Sequence, residues 1–188
     1  KDMPETLALA ALDVAGAPAQ VAKLARPCQS VVILGSAGKS GMLCAYEAVK
    51  RVGPTGTVIG LVRNEKKAAL LARVSDKIKV VIADATKPIE VLNAVLAAND
   101  GKEVDIAINC VNVQNTEMST ILPVKDLGIA YFFSMATSFT KAALGAEGVG
   151  KDVTMIVGNG YTKDHAAITL EELRESAVLR EIFNELYV

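Results

Sequence analysis

Three glycines follow a short apolar run near the start of the chain, and their spacing suits contact with an anion. The run covers residues 31–34, and Gly35, Gly38 and Gly41 then fall three apart. A strand that turns on glycine into a helix leaves unpaired N–H groups and a partial positive charge at the first helical turn. Gly35 can make the turn, Gly38 admits a close approach, and Gly41 lets the helix pack tightly. This stretch therefore predicts a strand–turn–helix unit that can hold a phosphate.

A dinucleotide pyrophosphate is the usual occupant of such a turn. The spacing here is G-x-x-G-x-x-G, because Ala37 stands where the common fingerprint has its second glycine. A tight turn with no ligand is the alternative, and the β–α units that follow favour the nucleotide. Ser36 and Ser40 can donate to phosphate or cap the helix. Lys39 can neutralise phosphate charge or be a surface lysine.

The end of the second predicted strand, residues 57–62, bears on which nucleotide binds. An acidic side chain there accepts from the 2′-hydroxyl of NAD, whereas an arginine accommodates the 2′-phosphate of NADP. Here Val62 takes the acidic position, and Arg63 and Asn64 follow. The residues favour NADP over NAD, with a solvated surface role for Arg63 as the alternative. Asn64 also has the right position to cap the next helix.

Loops after the later strands are predicted to complete the cofactor site. The expected contacts are Asp84 near the adenine, Cys110, Val111 and Asn112 beside the nicotinamide ribose, and Ser134, Met135 and Asn159 at the nicotinamide end. For Asp84, a role in a turn or a helix cap is the competing interpretation. The only histidine, His165, has no obvious acidic partner and is expected at the surface. No catalytic residue can be assigned from these patterns.

Composition excludes several classes of function. The 188 residues are 51% hydrophobic with a net charge of −1 and no Trp, which disfavours a nucleic-acid partner. Cys28, Cys44 and Cys110 are far apart and, with a single histidine, lack zinc-site spacing. We expect free thiols in a cytoplasmic protein, no metal, and no membrane partner.

Apolar runs alternate with helical patterns along the whole chain. The predicted strands are 31–34, 57–62, 77–83, 104–110, 128–134 and 152–157, and the helices between them are 39–52, 64–73, 86–98, 116–122 and 139–144. A helical segment over 4–24 precedes them, and one helix over 169–187 follows, with Thr169 and Glu172 as a capping box. The pattern predicts a single α/β domain of Rossmann type: a doubly wound, six-stranded parallel sheet, order 3-2-1-4-5-6, with helices on both faces. A ligand would lie at the carboxyl ends of the first and fourth strands.

The order of helix, glycine turn and β–α units resembles the cofactor half of the medium-chain dehydrogenases/reductases. Residues 1–16, 109–112 and 131–140 are similar to a branch of that superfamily that acts in bacterial lysine fermentation. The resemblance implies oxidative deamination of a small diamino acid. A hydride passes from the carbon that bears the amino group to NAD or NADP, and the resulting imine hydrolyses to an oxo acid and ammonium.

The same resemblance implies a GroES-like barrel that supplies most substrate and catalytic groups, and nothing in this chain corresponds to it. The chain begins at Lys1 without Met, so we expect a fragment that binds cofactor and turns over poorly or not at all. One alternative is a nucleotide-sensing module without chemistry. Another is an S-adenosylmethionine methyltransferase, which Val62 and the terminal helix disfavour. A homodimer through the predicted edge strand 152–157 is a further expectation.

Overall fold

One parallel sheet forms the centre of the molecule. The computed structural model describes residues 3–158 and 160–188, and within them the strands are β1 Ser30–Leu34, β2 Thr57–Val62, β3 Ile78–Ile82, β4 Val104–Asn109, β5 Val124–Phe132 and β6 Thr154–Val157. Their order is β3-β2-β1-β4-β5-β6, and each neighbouring pair is parallel. The predicted fold class and strand order are confirmed.

Helices connect the strands and flank them at both ends of the chain. They are α1 Glu5–Leu12, α2 Gly16–Leu24, α3 Lys39–Val52, α4 Glu65–Ala72, α5 Pro88–Ala98, α6 Glu117–Ile121, α7 Phe139–Gly148, α8 His165–Glu175 and α9 Ala177–Tyr187. Among the described residues, no single helix is long and apolar enough to cross a bilayer. Only α1 and α2 taken together, bent by 59°, meet the length and composition criteria.

The alternation of side chains along β1 divides the core into two layers. Val31 and Ile33 pack in a cluster with apolar residues of α1, α2, α3, α4, α8 and α9. Val32 and Leu34 face the other way, in a cluster with Val91 of α5. Both faces of the sheet are thus covered, which is why the strand is apolar at every interior position.

The C-terminal region departs from the prediction of one helix over 169–187. A break at Ser176 separates α8 from α9, and Ser176 caps α9 by accepting from the N–H of Leu179 at 3.1 Å. Thr169 lies inside α8, where its hydroxyl donates to the carbonyl of Ala15, so the predicted capping box is wrong. Glu172, on the same helix, is fully buried. The T-x-x-E spacing fits a helix interior as well as a helix start, and tertiary contacts decide between them.

Two other predicted boundaries shift by a few residues. The fifth strand begins at Val124, four residues before the predicted start, and its pairing with β4 changes register between Val104 and Ile106. Leu127 within it has a φ of 63°, which interrupts the regular pattern of apolar residues. The helix predicted over 139–144 extends to Gly148.

Candidate cofactor site

The glycine turn lies between the ends of neighbouring strands. The N–H groups of Gly35 and Ser36 both donate to the carbonyl of Leu61 at the end of β2, at 3.0 and 3.2 Å. Gly38 then donates to the carbonyl of Gly35 at 3.0 Å and forms the N-cap of α3. The first turn of α3, from Lys39 onward, therefore begins beside the carboxyl ends of the strands, with N–H groups that have no intrahelical acceptor.

The three glycines of the turn differ in how much space a β-carbon would have. Gly35 has a φ of +77°, and a β-carbon there would lie 3.0 Å from Cγ2 of Val111. A β-carbon on Gly41 would lie 2.2 Å from the carbonyl oxygen of Gly35 and 2.7 Å from Cα of Ser36. At Gly38 the nearest atom would be the Gly35 oxygen, at 3.3 Å. Gly41 thus allows α3 to pack closely against the turn, whereas a β-carbon on Gly38 would have more room.

A cleft of about 400 Å³ opens beside this turn, within the size range of small-molecule sites. It lies at the switch point of the sheet, where β1 is flanked by β2 and β4. Its walls are Gly35, Ala37, Gly38, Lys39, Ser40, Leu61, Val62, Arg63, Lys67, Ala83, Ala85, Cys110, Val111, Asn112 and Val113. The structure therefore brings together nine predicted site residues: Gly35, Ala37, Gly38, Lys39, Ser40, Arg63, Cys110, Val111 and Asn112.

Other predicted residues lie behind or beside the cleft. Ser36 is fully buried, and its hydroxyl donates to the carbonyl of Leu61 at 3.1 Å. Gly41 packs against the turn as described. Asn64 caps α4 by accepting from the N–H of Lys67 at 3.0 Å, as its position in the sequence predicted.

Asp84 is exposed, does not line the cleft, and accepts hydrogen bonds within its own turn. Its carboxylate accepts from the N–H and the hydroxyl of Thr86, at 2.9 and 2.7 Å. These bonds, the backbone one first, lower the pKa of the Asp84 carboxyl. Its neighbours Ala83 and Ala85 line the cleft instead. The geometry supports the turn role that was the alternative interpretation.

Of the residues predicted at the nicotinamide end, Ser134 and Met135 do not line the cleft. The hydroxyl of Ser134 accepts from the N–H of Ala136 at 3.1 Å, and Met135 is 90% exposed. Asn159 lies outside the described residues. His165 begins α8 with its ring 4.9 Å from that of Tyr161. Among the described residues, no group of three or more His, Cys, Asp or Glu side chains is arranged to hold a metal.

The charged side chains around the cleft are basic. Among its described lining residues, Lys39, Arg63 and Lys67 carry charge and none is acidic. Lys39 Nζ lies 3.0 Å from a carboxylate oxygen of Asp13 and 5.2 Å from the ring centre of Tyr187. Lys67 Nζ lies 3.4 Å from the carbonyl oxygen of Ala37. Sequence reasoning missed Lys67, although its place one turn into the helix after Arg63 was a usable signal.

A buried asparagine fixes the loops on the other side of the cleft. Asn109, fully buried at the end of β4, donates to the hydroxyls of Thr116 and Thr120 at 2.8 and 2.9 Å. Its side-chain oxygen accepts from the N–H of Val111, and its backbone oxygen accepts from the N–H groups of residues 133 and 134. Asn109 therefore positions the segment after β4 and the segment after β5 together.

A doubly wound parallel sheet with a glycine turn and a cleft at its switch point defines a Rossmann-type nucleotide-binding architecture. Solved structures share this fold. An alcohol dehydrogenase from Thermotoga maritima is 17% identical with a TM-score of 0.71, over 93% of this chain and 48% of that one. A mycobacterial protein solved in complex with NADPH is 16% identical with a TM-score of 0.65, over 100% of this chain and 56% of that one.

Curated proteins are far closer in sequence. The chain is 86% identical, over all 188 of its residues, to the L-erythro-3,5-diaminohexanoate dehydrogenase of Fusobacterium nucleatum. It is 68% identical, over 187 residues, to the enzyme of the same name from Acetoanaerobium sticklandii. The chain spans 54% of the length of each relative. The search with protein-family models found no match. The resemblance drawn from the sequence is confirmed.

Proposed function

We propose that this chain is the NAD(P)-binding part of an L-erythro-3,5-diaminohexanoate dehydrogenase. The proposed reaction oxidises the carbon that bears the 3-amino group and yields 5-amino-3-oxohexanoate and ammonium. The 86% identity over the whole chain to an enzyme of that name supports the substrate. The assignment of a nicotinamide cofactor depends on the glycine turn, which borders the cleft at the switch point of the sheet.

The residues around the cleft fit a dinucleotide. The first turn of α3 offers unpaired N–H groups to the pyrophosphate, and Lys39, Arg63 and Lys67 add positive charge, with no acidic side chain among the described residues that line the cleft. A bound nicotinamide ring supplies the two-electron oxidising chemistry. The chain itself binds and orients: the segment at Val111 lies against Gly35, and Asn109 holds that segment in place.

The end of β2 favours NADP over NAD. Val62 offers no carboxylate to a ribose hydroxyl, whereas Arg63 and Lys67 line the cleft and can donate charge-assisted hydrogen bonds to a 2′-phosphate. A hydrogen bond to a charged group contributes about 1.5–3 kcal/mol, or roughly ten- to a hundredfold in affinity.

Substitution of Arg63 tests this preference. Calorimetric titration of Arg63→Ala should show NADP affinity reduced roughly ten- to a hundredfold, with NAD affinity nearly unchanged. Arg26→Ala is the matched control, because Arg26 is an exposed arginine that precedes β1 and does not line the cleft. Equal affinity of the wild type and Arg63→Ala for NADP would contradict the role of Arg63.

Substrate chemistry is proposed to need the rest of the enzyme. The chain spans 54% of its relatives' length, and we assign most substrate and catalytic groups to the remaining part. With L-erythro-3,5-diaminohexanoate and NAD or NADP, the 188 residues alone should form little or no reduced cofactor. A longer polypeptide that includes the remaining part should form it readily. Rapid deamination by the 188 residues would contradict this division of labour, and cofactor binding without turnover in the longer protein would favour a sensing module.

We also propose a homodimer through the free edge of β6, in a cytoplasmic enzyme. β6 is an edge strand of the sheet, and its last residue, Val157, is 52% exposed. Unpaired backbone groups on such an edge can continue the sheet into a second copy. Sedimentation analysis should give a dimer for the wild type and a monomer for Met155→Pro, because proline removes a backbone donor in the middle of the strand. A monomeric wild type at all concentrations would contradict the dimer.

A further inference from the structure

Two thiols, one of them in the wall of the cleft, face each other beside the glycine turn. The sulfur atoms of Cys44 and Cys110 lie 3.9 Å apart, although the residues are 66 positions apart in the chain. Cys44 is fully buried on α3, the helix that begins at the turn. Cys110 is half-buried and lines the cleft. The pair therefore joins the buried core to the candidate cofactor site.

Cys110 sits at a point where small displacements change the cleft. Its N–H donates to the carbonyl of Leu34 at the end of β1, at 3.0 Å. Its own carbonyl carbon lies 3.2 Å from where a β-carbon of Gly35 would be, and Val111 contacts the same position at 3.0 Å. A disulfide needs its sulfur atoms about 2 Å apart. Closing the gap from 3.9 Å would therefore bring the two sulfur atoms nearly 2 Å closer and tie the Cys110 side chain, which lines the cleft, covalently to α3.

We propose that Cys44 and Cys110 are a modification site: hydrogen peroxide that enters the cleft converts them to a reversible disulfide, which weakens dinucleotide binding. The formation of the disulfide depends only on the closeness of the two thiols. The effect of the disulfide on dinucleotide binding depends in addition on the proposed function. A dinucleotide in the cleft would cover Cys110, so cofactor and oxidant compete for the same side of the molecule.

The accessible thiol reacts first. The Cys110 sulfur attacks one peroxide oxygen, the O–O bond breaks, and the leaving hydroxide takes up the proton of the Cys110 thiol to become water, which leaves a sulfenic acid on Cys110. The Cys44 sulfur then attacks the Cys110 sulfur, the S–O bond breaks, and the hydroxyl leaves as water with the proton of Cys44. Two thiols lose two electrons and two protons in total, and one peroxide is reduced to two waters.

The environment of the two cysteines determines that Cys110 reacts before Cys44. Burial, followed by the contact with Cys110 and the nearby carboxyls Glu172 and Glu47, raises the pKa of the Cys44 thiol well above its ordinary value. Cys44 therefore stays protonated and cannot be the first nucleophile. It is nevertheless in place to trap the sulfenic acid, because its sulfur is already next to that of Cys110.

The third cysteine provides a matched control. Cys28 is exposed before β1, away from the cleft, with its sulfur 3.0 Å from the hydroxyl of Thr55. Peroxide-treated protein would be digested without reductant and mapped by mass spectrometry. The wild type and Cys28→Ser should both give the cross-linked peptide of Cys44 and Cys110, and dithiothreitol should remove it. Cys44→Ser should give no cross-link and instead expose a Cys110 sulfenic acid that dimedone traps.

Two sets of results would overturn the proposal. The disulfide is excluded if Cys110 in the wild type goes to sulfinic acid without cross-linking, or if the cross-link recovered from the wild type contains Cys28 and is lost in Cys28→Ser. For the effect on binding, calorimetry should show NADP affinity at least tenfold weaker in the oxidised wild type and in oxidised Cys28→Ser, and restored in both by dithiothreitol. Equal affinity of oxidised and reduced wild type would overturn the effect on binding. Binding in neither state would contradict the proposed function as well, while a mapped cross-link would still support the modification site.

Discussion

The glycines of the turn have different structural roles, and their spacing in the sequence does not show which glycine has which role. Gly41 is packed against backbone atoms of Gly35 and Ser36, whereas Gly38 has only one near neighbour and lines the cleft. A β-carbon at Gly41 cannot be relieved by a side-chain rotation, because the atoms that it meets belong to the backbone. The two positions should therefore respond differently to alanine: one in stability, the other in ligand binding.

Gly41→Ala should lower the free energy of unfolding by about 1–3 kcal/mol, the usual cost of forcing an extra methyl group into a packed site. Urea denaturation followed by circular dichroism measures this. Gly148→Ala is the control, because Gly148 also lies in a helix but a β-carbon there meets no atom within 4 Å. Gly148→Ala should leave stability unchanged or slightly raised. Equal stability of Gly41→Ala and the wild type would show that helix and turn are not in close contact.

At the scale of elements, the apolar runs were sufficient to predict every strand of the sheet. Strands buried on both faces consist of β-branched and apolar residues whatever their neighbours, so their sequence signal is local. The C-terminal helices were predicted less well. Whether Thr169 and Glu172 start a helix or lie inside one depends on contacts with distant residues such as Ala15, which no local spacing contains.

The same limit applies to the candidate site. The glycines and Arg63 were found because turns and strand ends have characteristic residues. Sequence reasoning did not single out Asn109, because the hydroxyls to which it donates, on Thr116 just before α6 and on Thr120 within α6, are brought near it only by the fold. Lys39 illustrates the reverse case: its position was predicted, but its partner Asp13 was not.

Asn109→Ala tests the link between β4 and the loops around the cleft. Loss of this fully buried side chain would leave the N–H of Val111 without the acceptor that it has now. We expect the free energy of unfolding to fall by about 1–3 kcal/mol. Asn112→Ala, an exposed residue of the same segment, should leave stability unchanged. Denaturant unfolding of both variants provides the comparison, and equal values for the two would contradict the role of Asn109.

Glu172 should make the docking of α8 sensitive to pH. Both of its carboxylate oxygens are buried without a hydrogen-bond partner among the described residues. Burial, followed by the charge of Glu47, raises the pKa of the Glu172 carboxyl well above its ordinary 4.5, against the opposing effect of Lys50. Because the pKa is higher in the folded than in the unfolded state, the stabilisation is full below about 4.5 and is lost as pH rises through the folded pKa.

Glu172→Gln removes this titration. The variant should therefore gain stability relative to the wild type as pH rises above about 4.5, when unfolding is followed across a pH series. Glu171→Gln, on the same helix but exposed, should follow the wild-type slope. Parallel pH curves for Glu172→Gln and the wild type would show that Glu172 is not held in its neutral form.

At the scale of the whole molecule, the net charge does not reveal the positive charge that is concentrated at the cleft. The net charge is only −1, yet the charged walls of the cleft are all basic among the residues that the structure describes. A net charge near zero does not reveal a local site for a small anionic ligand, because only the fold gathers Lys39, Arg63 and Lys67 at one cleft.

The proposed function requires that this cleft hold a nicotinamide dinucleotide. Calorimetric titration of the wild-type chain with NADP, NAD and S-adenosylmethionine tests it, with Gly38→Ala as a variant whose added methyl group would lie on the cleft wall. We predict one NADP per chain, weaker NAD, no S-adenosylmethionine, and a folded Gly38→Ala with clearly reduced NADP affinity. Tight S-adenosylmethionine binding, or NADP affinity that Gly38→Ala leaves intact, would contradict the assignment of the glycine turn to a dinucleotide.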